Sequence, residues 1–94
     1  MHEVLYAGQR LLTTESLAEA VLEYAMYLAA TGANDAVTIP LVHEGVAATS
    51  RLLVGAGIPI AIVAVSGHTA QLPGADEAWL DIQTRLLSMR AATD

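Results

Sequence analysis

LLVGAGIPIAIVAV, residues 52–65, carries no charged side chain and is interrupted only by Gly55-Ala56-Gly57 and by Pro59. Three structures would accept such a stretch: half a membrane span, a glycine loop under a dinucleotide, or two buried strands and the turn between them. A span needs about 20 apolar residues in a row, and this run is shorter and broken by two glycines and a proline. A dinucleotide loop needs a third glycine at position 60 and a helix beginning there. Position 60 is Ile60, and the following IAIVAV is rich in β-branched residues that favour strand. A pyrophosphate would find no helix N-terminus. The stretch therefore reads as a strand ending near Val54, a glycine turn, and a strand from Ile58 to Val65 with Pro59 near its start. At least one of the glycines is expected at positive φ.

Upstream, AVTIPLVH over residues 36–43 alternates Val37, Ile39 and Leu41 with Thr38 and Pro40, as a strand with one buried side does. Glu44-Gly45 has the form of a two-residue hairpin turn. That turn sets His43 opposite Val46, Leu41 opposite Ala48, Ile39 opposite Ser50 and Val37 opposite Leu52, with Thr38 and Arg51 on the other side. Pro40 has no N–H for a ladder and points to an edge position. EVLYAGQRLLTT, residues 3–14, reads as a strand bent or turned into a hairpin at Gly8.

LAEAVLEYAMYLAA, residues 17–30, has helical periodicity, with Leu17, Val21, Tyr24 and Leu28 along one face. Ser16 and Glu19 have capping-box spacing, and Gly32 stands where a helix closes through a left-handed residue. Ala18, Leu22, Met26 and Ala29 widen the apolar arc beyond the ~100° that one core contact uses. A second helix runs from about Asp76, read as its N-cap, to Arg90, with Trp79, Ile82, Leu86 and Met89 as its buried stripe and Asp81–Arg85 as an i,i+4 pair. The turn-rich interval SGHTAQLPG, residues 66–74, precedes it. These elements define one α+β domain over residues 1–94: an antiparallel sheet of about four strands with two helices packed on one face, in the order strand or hairpin, helix, three-strand meander, helix.

The hydrophobic fraction is 54% against a usual ~45–50%, more apolar surface than so small a domain readily hides. Net charge is −6, and the cations are Arg10, Arg51, Arg85 and Arg90, spread along the chain. Nucleic acid and anionic membrane surfaces are therefore not expected as partners, whereas a basic protein would be tolerated. The absence of cysteine removes disulfides, thiol nucleophiles and thiolate metal sites, and the absence of lysine removes Schiff-base chemistry and a Walker lysine. The N-terminal MHEVLYAGQR has no basic segment followed by an apolar core, so no signal peptide is expected and the cytoplasm is the default location.

Chemistry-bearing residues are few. His43 with adjacent Glu44, and His68, are the candidates for a ligand or metal site, although His2, His43 and His68 share no ligand spacing; no metal or cofactor is expected. Ser66 and His68 lie close together, but the Gly-x-Ser-x-Gly elbow is absent. Glu15, Glu19 and Glu23 form a strip at four-residue spacing that reads as a solvated helix face. Tyr6, Tyr24, Tyr27 and Trp79 are all the aromatic bulk, and core filling is their expected use. The expected function is a non-catalytic, self-associating or partner-binding domain, most simply a homodimer through Ala18, Leu22, Met26 and Ala29. The alternative is a small-ligand-binding protein or enzyme using His43, His68 and nearby carboxylates.

Overall fold

A computed structural model describes residues 1–66 and 72–93. In chain order the elements are β1 (His2–Tyr6), β2 (Gln9–Thr13), α1 (Glu15–Ala30), β3 (Asn34–His43), β4 (Val46–Gly55), β5 (Ile60–Ala64) and α2 (Ala75–Thr93). The fold is α+β, with five strands in the antiparallel order β4-β3-β2-β1-β5 and two helices. The additional strand comes from the N-terminal stretch, which is a hairpin rather than one bent strand: Ala7 and Gly8 both have positive φ, as a type I′ turn requires.

The β3–β4 hairpin has the register expected from alternation, including His43 opposite Val46 and Thr38 opposite Arg51. Its turn residues Glu44 and Gly45 both have positive φ. A two-residue hairpin makes His43–Val46 a hydrogen-bonded pair, and alternation then turns the Pro40 backbone away from β4 and toward β2. Pro40 is therefore not on an edge strand in the sheet order; its missing N–H instead ends the β2–β3 ladder, whose one pair is Leu12 opposite Val42. The Thr13 hydroxyl donates to the Pro40 carbonyl at 3.0 Å and satisfies the acceptor left there.

The meander is overturned at β5. This strand pairs with β1, on the opposite edge from β4, and runs in the same direction as β4, so the two cannot be hairpin neighbours. The glycine turn itself is present: Gly55 and Gly57 have φ of +126° and +76°, and the Ile58 N–H donates to the Gly55 carbonyl. A turn holds its ends within ~7 Å, and residues 58–60 add about 7 Å more, which is less than the ~19 Å between the edges of a flat five-stranded sheet. The sheet must curl. The Tyr6 hydroxyl on β1 marks the closure, donating to the Leu53 carbonyl on the outer edge of β4 at 2.8 Å.

Both helices pack inside the curl. The core joins Val4, Leu11, Val37, Ile39, Leu41, Leu52 and Val54 of the sheet to Leu17, Val21, Tyr24 and Leu28 of α1 and Ile82 and Leu86 of α2. Helix α1 begins two residues earlier than the capping-box reading. Thr14, extended directly after β2, is the N-cap, and its hydroxyl accepts the Leu17 N–H at 3.2 Å. At the other end Gly32, with φ +73°, closes the helix as expected. Asp76 lies in the first turn of α2 instead of capping it. Trp79 is exposed, so the buried stripe of α2 reduces to Ile82 and Leu86 with Met89 partly covered.

Candidate functional site

The most heavily bonded polar group in the core wall is Asp35, at the start of β3. Its Oδ2 accepts the Tyr24 hydroxyl of α1 at 2.5 Å and an Arg85 guanidinium N–H of α2 at 2.8 Å, while Oδ1 accepts the Ala36 N–H at 2.8 Å. Arg85 also donates to the Ala36 carbonyl and pairs with Asp81 at 3.0 Å, the i,i+4 pair read from sequence. Burial, followed by the hydrogen bond to the ionised Asp35, pushes the Tyr24 phenol up to about 12. The Tyr24 hydroxyl in turn holds the Asp35 carboxyl below its usual range. Every member is satisfied by another, and the three elements are joined where they meet. This is a structural clamp. A second clamp joins the helices further along, where Arg90 pairs with Glu23 and lies over the Tyr27 ring.

The histidines do not assemble. His43 closes β3, with Nε2 3.9 Å from the Glu44 carboxylate and Nδ1 buried without a partner. His2 opens β1, with Nε2 3.7 Å from Glu19 of α1, and its Nδ1 is likewise buried and unpartnered. His68 lies outside the described residues, and so does half of the Ser66–His68 pair. Among the described residues no three His, Asp or Glu side chains are grouped to hold a metal ion.

Two surfaces remain. The first is the flank formed by α1 and β5. Met26 is 63% exposed, Ala29 is exposed and Leu22 is partly covered, and these line a shallow apolar depression with Gly55, Ile58 and Ile60. Ala18 is fully buried beneath them. Beside this depression runs the outer edge of β5. The Val65 N–H donates to the Met1 carbonyl, so alternation directs Val63 and Ala61 toward β1 and the backbone groups of Ile60, Ile62 and Ala64 outward. Nothing among the described residues pairs with them.

The second surface is a groove of about 480 Å³ at the mouth of the curl, between the β4 edge and the β1–β2 turn, with no helix residue among the described ones lining it. Leu11, Leu41 and Leu52 form its apolar floor, and Tyr6, Gln9, His43, Ser50 and Arg51 stand around it. Sequence reasoning singled out His43 but not Tyr6, Gln9, Ser50 or Arg51 as neighbours. Their meeting depends on the closure of β1 onto β4, for which the only local signal is the short connection from β4 to β5. The four aromatics likewise do not gather: Tyr6 borders the groove, Tyr24 and Tyr27 serve the two clamps, and Trp79 is exposed.

No helix among the described residues is long and apolar enough to cross a membrane. Compared with protein-family models, with curated proteins and with solved structures, the chain matches none.

Proposed function

We propose that this chain is a non-catalytic module that self-associates as a two-fold dimer through the α1–β5 flank. The observation that carries the reading is the outer edge of β5. Edge strands are ordinarily blunted by a charge, a proline or a bulge, because a row of free N–H and C=O groups recruits another strand. From Leu52 to Ala75 the sequence has no Asp, Glu, Lys or Arg, and Pro59 precedes β5 without interrupting it. The other edge is partly occupied, since the Leu53 carbonyl of β4 accepts the Tyr6 hydroxyl.

A second copy is the occupant this edge fits. An antiparallel strand pair about a two-fold axis is self-complementary, so β5 meets β5 and the sheet continues across the axis. The same operation gives the exposed Met26 and Ala29 and the partly covered Leu22 an apolar partner, with Ala18 buried in the core. The β5 strand itself brings no charge to the contact; the acidic group beside it is Glu19 of α1, one turn before Leu22 and 3.7 Å from His2. Nucleic acid does not suit the molecule, because Arg85 and Arg90 are engaged with Asp35, Asp81 and Glu23.

Sedimentation equilibrium on the wild type, Met26→Glu and Ala64→Pro tests the reading. Met26 is largely solvent-exposed in a single copy, so its replacement costs the monomer within about 0.5 kcal/mol, whereas in the dimer it sets carboxylates together in a desolvated patch. Ala64→Pro removes an outward N–H while sparing the ladder to β1. The expected result is a wild-type dimer at micromolar concentration and monomeric variants with unchanged circular dichroism. A wild type that is monomeric at about 100 μM, or a dimer that survives both substitutions, would overturn it.

A further inference from the structure

We infer that the groove at the mouth of the curled sheet is a binding site for a small carboxylate with an apolar body. Three independent features of the groove point to this ligand class. Its volume, about 480 Å³, falls within the ~300–1,000 Å³ of small-molecule sites, and its make-up of leucine floor and polar rim is the usual one. Its charge is opposite to that of the molecule: no acidic residue among the described ones lines it, whereas Arg51 does. The nearest carboxylate on its own hairpin is that of Glu44, which is exposed at the turn, 3.9 Å from the far nitrogen of His43.

The third feature is unspent hydrogen-bonding capacity. Arg51 makes no hydrogen bond or ion pair among the described residues, in contrast to Arg85 and Arg90, which are committed to the clamps. In the β3–β4 register Thr49 and Arg51 also turn their backbone N–H groups away from β3, along the outer edge of β4 that borders the groove. A carboxylate seated there would accept from these edge N–H groups, and from the Arg51 guanidinium once that side chain, which alternation sends to the face opposite Leu52, turns around the β4 edge, while its hydrocarbon part covers Leu11, Leu41 and Leu52.

The test is a 1H–15N NMR titration with 4-phenylbutyrate and, as the charge-reversed control, 4-phenylbutylamine, on the wild type, Arg51→Ala and Arg51→Glu. Arg51 is an exposed strand residue outside the core, and amide dispersion reports whether each variant is folded. Saturable shifts from 4-phenylbutyrate, confined to Gln9, Leu11, His43 and residues 48–52, are expected, with no response to the amine. Loss of the charge-assisted contact in Arg51→Ala should weaken binding about tenfold, and Arg51→Glu should abolish it. Equal responses to acid and amine would mean apolar adsorption only and overturn the proposal. So would shifts centred on the α1–β5 flank, unchanged affinity in folded Arg51→Ala, or no shift up to about 10 mM.

Discussion

Replacing Tyr24 with Phe removes one oxygen atom from the point where α1, β3 and α2 meet, and its cost can be worked out at two pH values. Tyr24 is 4% exposed, and its hydroxyl donates to an ionised carboxylate, that of Asp35, at 2.5 Å. Hydrogen bonds to charged groups contribute about 1.5–3 kcal/mol. Asp35 keeps its bonds from Arg85 and the Ala36 N–H and is itself partly exposed, which places the expected loss at the lower end, about 1.5 kcal/mol. For a domain of this size that lowers Tm by roughly 6–12 °C.

The alkaline limb reports on the same side chain, through its burial first and its bond to Asp35 second. With the phenol raised from 10.0 to about 12 in the folded state, the unfolded chain loses its proton first, and the folded state is progressively disfavoured as pH rises through that interval. The stabilisation is complete below about pH 10, is diminished by about 1.4 kcal/mol at pH 11, and is gone above about pH 12. Urea titrations of wild type and Tyr24→Phe at pH 7, 10 and 11 and at one protein concentration measure this directly, the fixed concentration holding any self-association constant. The gap between the two proteins should be steady from pH 7 to near 10 and narrow above it. Equal stability at pH 7 would refute the assignment of Tyr24 as donor to a charged Asp35, and a gap that stays constant to pH 11 would refute a phenol held protonated by burial and that bond.

Asp35→Asn should flatten the acid limb: the lowered carboxyl contributes stability that is present above about pH 4 and lost as pH falls through its folded value, so wild type and variant should converge in acid melts. Gly55→Ala should be severely destabilising, because a Cβ there would sit 2.3 Å from the Ala33 carbonyl oxygen at a φ of +126°; a loss of only a few tenths of a kcal/mol in urea would show that the β4 terminus relaxes freely.

What the sequence disclosed and what it hid divide along the range of the interactions involved. The β3–β4 register was legible because two local signals, strict alternation from Val37 to Leu41 and a Glu-Gly pair suited to positive φ, agree on one pairing. Helix α1 was legible for the same reason, although Thr14 outcompeted Ser16 as its cap because the chain is still extended immediately after β2. The position of β5 was not legible. A glycine turn between two apolar runs is the local signature of a hairpin, and only tertiary geometry decides otherwise: the chain crosses from one edge of the sheet to the other because the sheet curls. Gly55 permits the departure, with the Ala56 N–H bound to the Ala33 carbonyl at 3.0 Å and no room for a side chain.

The same curl accounts for both candidate surfaces. Had β5 followed β4 as a meander, it would have covered the β4 edge, and no groove would lie between Tyr6 and residues 48–52. By crossing to β1 it leaves an uncharged strand at the far edge, beside the part of α1 that carries Leu22, Met26 and Ala29. The apolar flank and Arg51, whose side chain has no partner among the described residues, thus lie on the two borders of the curl, the first the proposed dimer surface and the second the proposed ligand groove. A substitution at one edge should leave the other intact. Met26→Glu should therefore bind 4-phenylbutyrate with wild-type affinity while monomeric, and Arg51→Ala should remain a dimer while losing the ligand. Loss of both properties in either variant would mean that the two surfaces act as one site, coupled where the curl brings Tyr6, the β1 partner of Ile60, onto Leu53 of β4.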